Sequence, residues 1–278
     1  MRIGIDVGGT KTAAMTFDAG GAPVAERRLP TPVVDYAALL EALDDLGEGG
    51  ARVGGIAIPG TPDPRTGLVK NCNFSMLNGR PLGADLASRW GRAVPIANDG
   101  ACFALSEARG GAGEGAGSVF GVVLGTGVGG GLVIGGRLHE GANGLAGEWG
   151  HMPFPWACAD EPLPDCYCGR RGCVETMLSG GAFRALGEDV AAYRDRLARA
   201  LAVVVGILDP EVIVLGGGLS LLEGLADGLE AQVARHAFDA GGKGASLVTR
   251  IRLARFGDAS GARGAALLEP AGMDRGAG

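Results

Sequence analysis

The feature that most constrains this chain is a strand, a glycine–threonine turn and a second strand, occurring twice. It stands first at Ile3 to Phe17, around Gly8-Gly9-Thr10-Lys11, and again at Val119 to Ile134, around Gly125-Thr126-Gly127. Short apolar runs bounded by glycines read as strands. The first copy therefore predicts strands over residues 2–7 and 12–18, and the second predicts strands over Val119–Leu124 and Gly131–Ile134. Between the copies, Gly110 to Gly117 is glycine-rich enough to serve as a linker. A pattern that returns across a linker predicts two related halves with a cleft between them.

Strands and helices alternate elsewhere, which points to an α/β fold. Tyr36 to Leu46 places Leu39, Leu40, Leu43 and Leu46 on one helical stripe. Val53 to Pro59 reads as a buried strand closing on Pro59-Gly60, and Pro81 to Trp90 as a helix. Val94 to Ala97 reads as a strand running into Asn98-Asp99, with a helix over Ala101–Ala108. Further on come an apolar helix at Leu197–Leu208, a strand at Val212–Leu215, the turn Gly216-Gly217-Gly218 and a helix at Leu221–His236. The expected division is a small α/β lobe over residues 1–110 and a large α/β lobe over 111–278, the C-terminal helix packing back on the small one.

Both glycine turns invite a familiar phosphate motif, and both fail on context. Asp6-Val7-Gly8-Gly9-Thr10-Lys11-Thr12 lacks the glycine directly before lysine and runs into an extended stretch, whereas a P-loop opens a helix. Gly125, Gly127 and Gly130 match G-x-G-x-x-G, but Gly131-Leu132-Val133-Ile134 is a strand, so the helix that holds a pyrophosphate is missing. A hairpin turn can still cradle phosphate, because successive backbone N–H groups form an anion-binding nest. Thr10, Thr12 and Thr126 add hydroxyl donors, and Asp6 is placed to hold Mg2+ through waters. The plain alternative is two ordinary hairpins.

Charge and composition narrow the function. Net charge is −6 and the 25 basic residues are scattered, so no nucleic-acid surface is expected. No uncharged apolar run reaches the roughly 18 residues of a membrane span. Asp6 falls where a signal peptide would be apolar. A cytoplasmic enzyme is the expectation.

His151, Cys166, Cys168 and Cys173 form the most specific local signal. Three thiols in so short a run, with glycines to bend the chain, suit a tetrahedral Zn2+. Disulfides compete for the same cysteines, and a cytoplasmic setting disfavours them. Cys158 is the rival fourth ligand. A metal closed by four protein ligands is structural and does not activate water. It would also fix Glu148 and Glu175, which lie just before and just after its ligands, as hydrogen-bond acceptors for a polyol.

Asn98-Asp99 sits where a strand gives way to a helix, a favoured place for functional groups in α/β folds. Asp99 reads either as a helix N-cap or as a base. Phosphoryl transfer asks only that a base orient the attacking hydroxyl and take its proton late.

Together these residues resemble the ROK family (repressors, open reading frames, kinases) of sugar kinases, along nearly the whole chain. The resemblance is carried by Asp6 to Lys11, Pro59-Gly60, Asn98-Asp99, Gly125-Thr126-Gly127, Gly147-Glu-Trp-Gly-His151, the Cys166–Cys173 run with Glu175, and Asp209-Pro210 leading to Gly216-Gly217-Gly218. It implies two actin-like, ribonuclease-H-like lobes closing over ATP and sugar. It also implies Asp99 as catalytic base and Asn98, Glu148, His151 and Glu175 as ligands of sugar hydroxyls. Phosphates would lie on Gly8, Gly9, Thr10, Lys11 and Thr12 and on Gly125, Thr126 and Gly127, and adenosine on Gly216, Gly217 and Gly218. Structural Zn2+ and ATP-bound Mg2+ are the implied cofactors, and a homodimer the implied assembly.

Within that family the chain most resembles bacterial fructokinases (manno/fructokinases). The segments are Val69 to Asn73, Leu77 to Pro81, Gly147 to Trp156 and Cys166-Tyr-Cys-Gly169. Transfer of the ATP γ-phosphoryl group to the 6-hydroxyl of fructose is therefore expected first. Mannose, glucose or N-acetylglucosamine, or a non-catalytic sugar sensor of the same fold, are the alternatives. Gly100-Ala101 replaces the family's usual Ala-Asn after the aspartate. The 180–197 stretch and the segment after Leu46 are shorter than in relatives, which leaves less surface for a dimer. The sequence opens on the first strand, so the family's repressor branch, marked by an N-terminal helix-turn-helix, is not expected.

Overall fold

The structure is a computed structural model, and it describes residues 1–159, 161–238 and 247–269. The chain divides into two compact units. The first comprises Met1–Ser106, Glu140–Leu145 and Asp258–Gly278, and the second Glu107–His139 and Ala146–Gly257. The expected large lobe, 111–278, includes residues 239–246 and 270–278, which lie outside those described.

The first unit opens with β1 (Arg2–Val7), β2 (Lys11–Phe17) and β3 (Pro23–Pro30), then α1 (Tyr36–Gly47) and β4 (Val53–Ile58). The pair β5 (Thr61–Pro62) and β6 (Val69–Lys70) follows, then α2 (Leu82–Trp90), β7 (Ile96–Asn98) and α3 (Asp99–Ala108). The sheet runs β3-β2-β1-β4-β7, with β2 and β3 antiparallel and β1, β4 and β7 parallel. The leucine stripe of α1 is buried as its spacing requires. Leu39, Leu43 and Leu46 pack with Ile3, Ile5, Ile56 and Ile58, and Leu82 and Leu86 of α2 join them. Asp35 caps α1 by accepting the N–H groups of Ala37 and Ala38, satisfying donors that the first turn leaves free.

The second unit repeats the plan. It contains β8 (Ser118–Leu124), β9 (Val128–Ile134), β10 (Arg137–His139), α4 (Val174–Leu178), α5 (Gly180–Ala185) and α6 (Val190–Leu208). Then come β11 (Val212–Gly216), α7 (Leu229–His236) and β12 (Arg250–Leu253). The order β10-β9-β8-β11-β12 again sets an antiparallel meander on one side of the first strand and parallel strands on the other. Its core joins Phe120, Val122, Ile213 and Leu215 to Leu197 and Leu201 of α6. Finally α8 (Ser260–Ala266) returns to the first unit and packs on β1 and β4. That packing needs glycine. A Cβ on Gly4 would collide with the carbonyl oxygen of Ala262, and one on Gly264 with that of Cys102.

Three readings of the sequence change. Residues 110–117, read as a linker, fold as turns on Glu107. Ala112 N–H donates to its Oε2 and Gly113 N–H to its carbonyl, both at 3.0 Å. The helix expected over 221–236 is confined to α7, because Gly224 and Gly228 adopt φ of 79° and 69°, conformations that no helix interior accepts. Conversely α6 starts at Val190, before the expected Leu197, where Asp189 accepts the N–H groups of Ala191 and Ala192. Among the described residues no helix is long and apolar enough to cross a membrane.

Candidate active site and metal centre

In the first unit β1, β4 and β7 run parallel, so their carboxyl ends share one edge. The register pairs Asp6 with Ala57 and Ile58 with Asn98, which brings Asp6 and the Asn98-Asp99 pair to that edge. Asn98 is the residue that caps α3. Its Oδ1 accepts the N–H of Gly100 at 2.9 Å and of Ala101 at 3.3 Å. Asp99 Oδ1 also accepts from Gly100, at 2.7 Å, while the residue keeps an exposed face. Asn98 thus does the capping that the sequence also allowed for Asp99.

The Asp99 charge disturbs Asp6. Burial first, and then the Asp99 charge, push the Asp6 carboxyl up to about 7, against the opposing pull of Lys11. Desolvation likewise raises Asp99, with the Gly100 N–H working in the other direction. A carboxylate raised by the charge of a second one belongs to a donor set suited to a hard divalent cation, which takes oxygen ligands and relieves the repulsion. The residues therefore fit Mg2+.

The first glycine turn is closed by Gly8 N–H donating to Lys11 O at 3.0 Å. Gly9, Thr10 and Lys11 are exposed. Thr12, expected among the phosphate donors, is fully buried instead. Its hydroxyl donates to Thr31 Oγ1 at 2.9 Å, and Thr31 donates to Gly8 O at 2.8 Å. These two hydroxyls brace the turn from beneath. The sequence carries no signal for Thr31, because the pairing depends on the β2–β3 register.

In the second unit, β8 and β11 run parallel and pair Val123 with Gly216, so the turns at 125–127 and 216–218 sit side by side. Thr126, Gly217 and Gly218 are exposed. Glu175 reaches into the first of these turns, where its Oε2 accepts Val128 N–H at 3.0 Å. A Cβ on Gly127 would lie 2.6 Å from that oxygen, so glycine at 127 admits the carboxylate. Gly180 N–H donates to Gly125 O at 2.8 Å and adds a second strap.

Trp149 positions the residues on either side of it. It is buried, and its indole N–H donates to Gly129 O at 2.8 Å. This anchors Glu148 and His151 beside β9. Met152 O accepts Val174 N–H and Phe154 N–H donates to Gly172 O, which binds the His151 segment to the end of the cysteine run. The ligand atoms of His151, Cys166, Cys168 and Cys173 all lie within 4.8 Å of one another. Cys168 and Cys173 sulfurs are 3.6 Å apart, and Cys166 Sγ lies 3.6 Å from His151 Nδ1. A tetrahedron with Zn–S of about 2.3 Å and Zn–N of about 2.0 Å has edges of about 3.8 and 3.5 Å, so the donor set fits Zn2+. Burial pushes the Cys166 and Cys173 thiols up, as expected where a cation must supply the compensating charge. Cys158 stands outside the cluster and is exposed.

Tyr167 lies between two of these cysteines, and its spacing alone carries no signal of a role. Its hydroxyl lies 2.9 Å from His151 Nε2.

A family model described as the ROK family matches residues 2–191 and 186–271. N-acetyl-D-glucosamine kinase of Erwinia tasmaniensis is 39% identical over 304 residues, covering 96% of this chain and 99% of its own. The enzyme of that name from Escherichia coli O127:H6 is 38% identical with the same coverage. Among solved structures, ROK hexokinase from Thermus thermophilus superposes with a TM-score of 0.78 at 31% identity, covering 96% of each chain. A ROK family glucokinase from Streptomyces griseus, in complex with glucose and AMPPNP, gives 0.76 at 26% identity, covering 95% of this chain and 97% of that one.

Proposed function

The chain belongs to the ROK family and has its two-domain actin-like, ribonuclease-H-like fold, and on that premise we propose that it is an ATP-dependent hexose 6-kinase with Asp99 as catalytic base. The observation that carries this reading is the Asp6–Asp99 pair at the carboxyl edge of β1 and β7. A carboxylate raised from its ordinary range is a better match for a hydroxyl proton. In the step, the sugar O6 forms a bond to the γ-phosphorus and its proton passes to Asp99. The bond from that phosphorus to the β–γ bridging oxygen breaks, and ADP leaves. Mg2+ bound with ATP supplies charge neutralisation at the phosphate oxygens, and Asp6 would hold it through waters.

The turn Gly8, Gly9, Thr10, Lys11 and the turn Gly125, Thr126, Gly127 would receive phosphates, chiefly through the exposed Gly9, Thr10, Lys11 and Thr126. Gly216, Gly217 and Gly218 would receive the adenosine. The AMPPNP and glucose held by the Streptomyces griseus relative support a nucleotide and a hexose here. Glu148, Glu175 and Asn98 would bind sugar hydroxyls. His151, Cys166, Cys168 and Cys173 would hold Zn2+ as a structural ion that shapes the loop carrying two of them.

N-acetyl-D-glucosamine is the first substrate to test, because relatives of that name match nearly the whole chain at 38–39% identity. Fructose, expected first from the segments Val69 to Asn73, Leu77 to Pro81, Gly147 to Trp156 and Cys166 to Gly169, becomes the second, and glucose the third. Coupled ATP turnover on N-acetylglucosamine, fructose, mannose and glucose, with metal-replete protein, decides among them. The highest kcat/KM is expected on N-acetylglucosamine. A preference for fructose would change the substrate and leave the reaction intact. Folded protein that turns over none of the four would sink the kinase reading and favour a sugar sensor.

A further inference from the structure

The two nitrogens of His151 have different company. Nδ1 faces the cysteines, 3.6 Å from Cys166 Sγ, while Nε2 lies 2.9 Å from the Tyr167 hydroxyl. The rings meet edge to face with centroids 5.1 Å apart. A histidine that gives Nδ1 to a metal keeps its proton on Nε2 and donates it to a neighbouring acceptor. Here that acceptor is the Tyr167 oxygen. The outward nitrogen of His151 is therefore already engaged, and the proton of the tyrosine hydroxyl is left to donate onward.

Two further observations concern Tyr167 itself. At 71% exposure an ordinary tyrosine would be free to change rotamer, but this one is held between Cys166 and Cys168 and hydrogen-bonded to His151. A side chain presented in this way loses little entropy on binding a ligand. Its partner His151 donates its backbone N–H to Glu148 O at 3.2 Å, so the hydroxyl stands at the same turn as one of the acids assigned to the sugar.

We propose that Tyr167, rather than His151, donates the hydrogen bond to a sugar hydroxyl at this corner of the site, and that it is a specificity-determining residue. This rests on the hexose-kinase reading. A site built to hydrogen-bond a hydroxyl discriminates against the analogue that lacks it, because a protein donor is then left unpaired. The discrimination should depend on the Tyr167 oxygen and should disappear with it.

The test is steady-state kinetics of wild type and Tyr167→Phe on the best sugar of the panel and on its monodeoxy analogues, with bound metal measured for both proteins. Tyr167→Phe should keep the wild-type metal content and raise KM for sugar about 10-fold, with a much smaller change in kcat and in KM for ATP. One deoxy analogue should be about 10-fold worse than the parent for wild type and no worse for Tyr167→Phe, a coupled cycle. Losses that multiply independently for every analogue would overturn the proposal. So would a loss of metal or of kcat with KM unchanged, since either marks a purely structural hydroxyl. Wild type inactive on every sugar would overturn the kinase reading itself, and that result is seen before any variant is compared.

Discussion

Replacing Asp99 with asparagine should inactivate the protein and stabilise it at the same time. Asp6 rises from its ordinary 3.8 to about 7, with burial the first cause and the Asp99 charge the second. A rise of that size is a preference of about 4 kcal/mol for the protonated form. The Asp99 charge supplies the smaller share after burial, so Asp99→Asn should relieve on the order of 1 kcal/mol once Asp6 is ionised, or about 2–4 °C in Tm for a chain of this length. The pH dependence follows from the direction of the shift. The folded chain keeps the Asp6 proton to higher pH than the unfolded chain, so the associated stability is complete below about 4 and is lost as pH rises through about 7. The advantage of Asp99→Asn should accordingly be larger at pH 8 than at pH 5.

Thermal melts at the two pH values, in buffer free of Mg2+ and of strong chelators, measure it. Adding Mg2+ should then raise the Tm of wild type more than that of the variant, and kcat of the variant should fall by about 100-fold or more. Two outcomes would refute the reasoning: a variant less stable than wild type at pH 8, or a Tm difference that is the same at both pH values. Turnover within tenfold of wild type would remove Asp99 from the catalytic role.

Two other perturbations probe the second unit. Cys168→Ser changes an exposed side chain and so costs little packing; metal content by mass spectrometry should drop and Tm should fall with it, and an unchanged metal content would exclude Cys168 as a ligand. Glu161 accepts from Arg196 Nε at 2.9 Å, from Arg199 Nη1 and Nη2 at 2.7 and 2.8 Å and from Cys158 N–H at 2.9 Å, tying the metal loop to α6. Glu161→Ala leaves two buried arginines without their partner and should cost about 3 kcal/mol by urea unfolding at pH 7. Its carboxyl is held down at about 2 from an ordinary 4.5, chiefly by Arg199. The stabilisation is thus present above pH 4.5 and lost as pH falls toward 2, and the gap between wild type and variant should narrow at pH 3.

What could be read from the sequence was whatever depends on near neighbours. The repeated strand–turn–strand, the leucine stripe of α1 and the clustering of Cys166, Cys168 and Cys173 are matters of spacing, and spacing survives folding. β3 and β12 could not be read in this way. Their side chains are mostly exposed, so no alternation of polar and apolar residues marks them, and only pairing with a neighbouring strand makes them strands. Pairing also decided which hydroxyl or amide met which partner. Thr12 turned inward because β3 brings Thr31 beneath the first turn, and Asn98 took two of the α3 N–H groups where Asp99 shares only one. Asp6 meets Asp99 because β1 and β7 run parallel on either side of β4, and Tyr167 meets His151 because the chain folds back between residues 151 and 167. The sequence alone thus determined which residue types the site contains and the local elements that carry them. Tertiary structure decided which of those side chains face one another, because strand register and chain reversal set distances that no local spacing encodes.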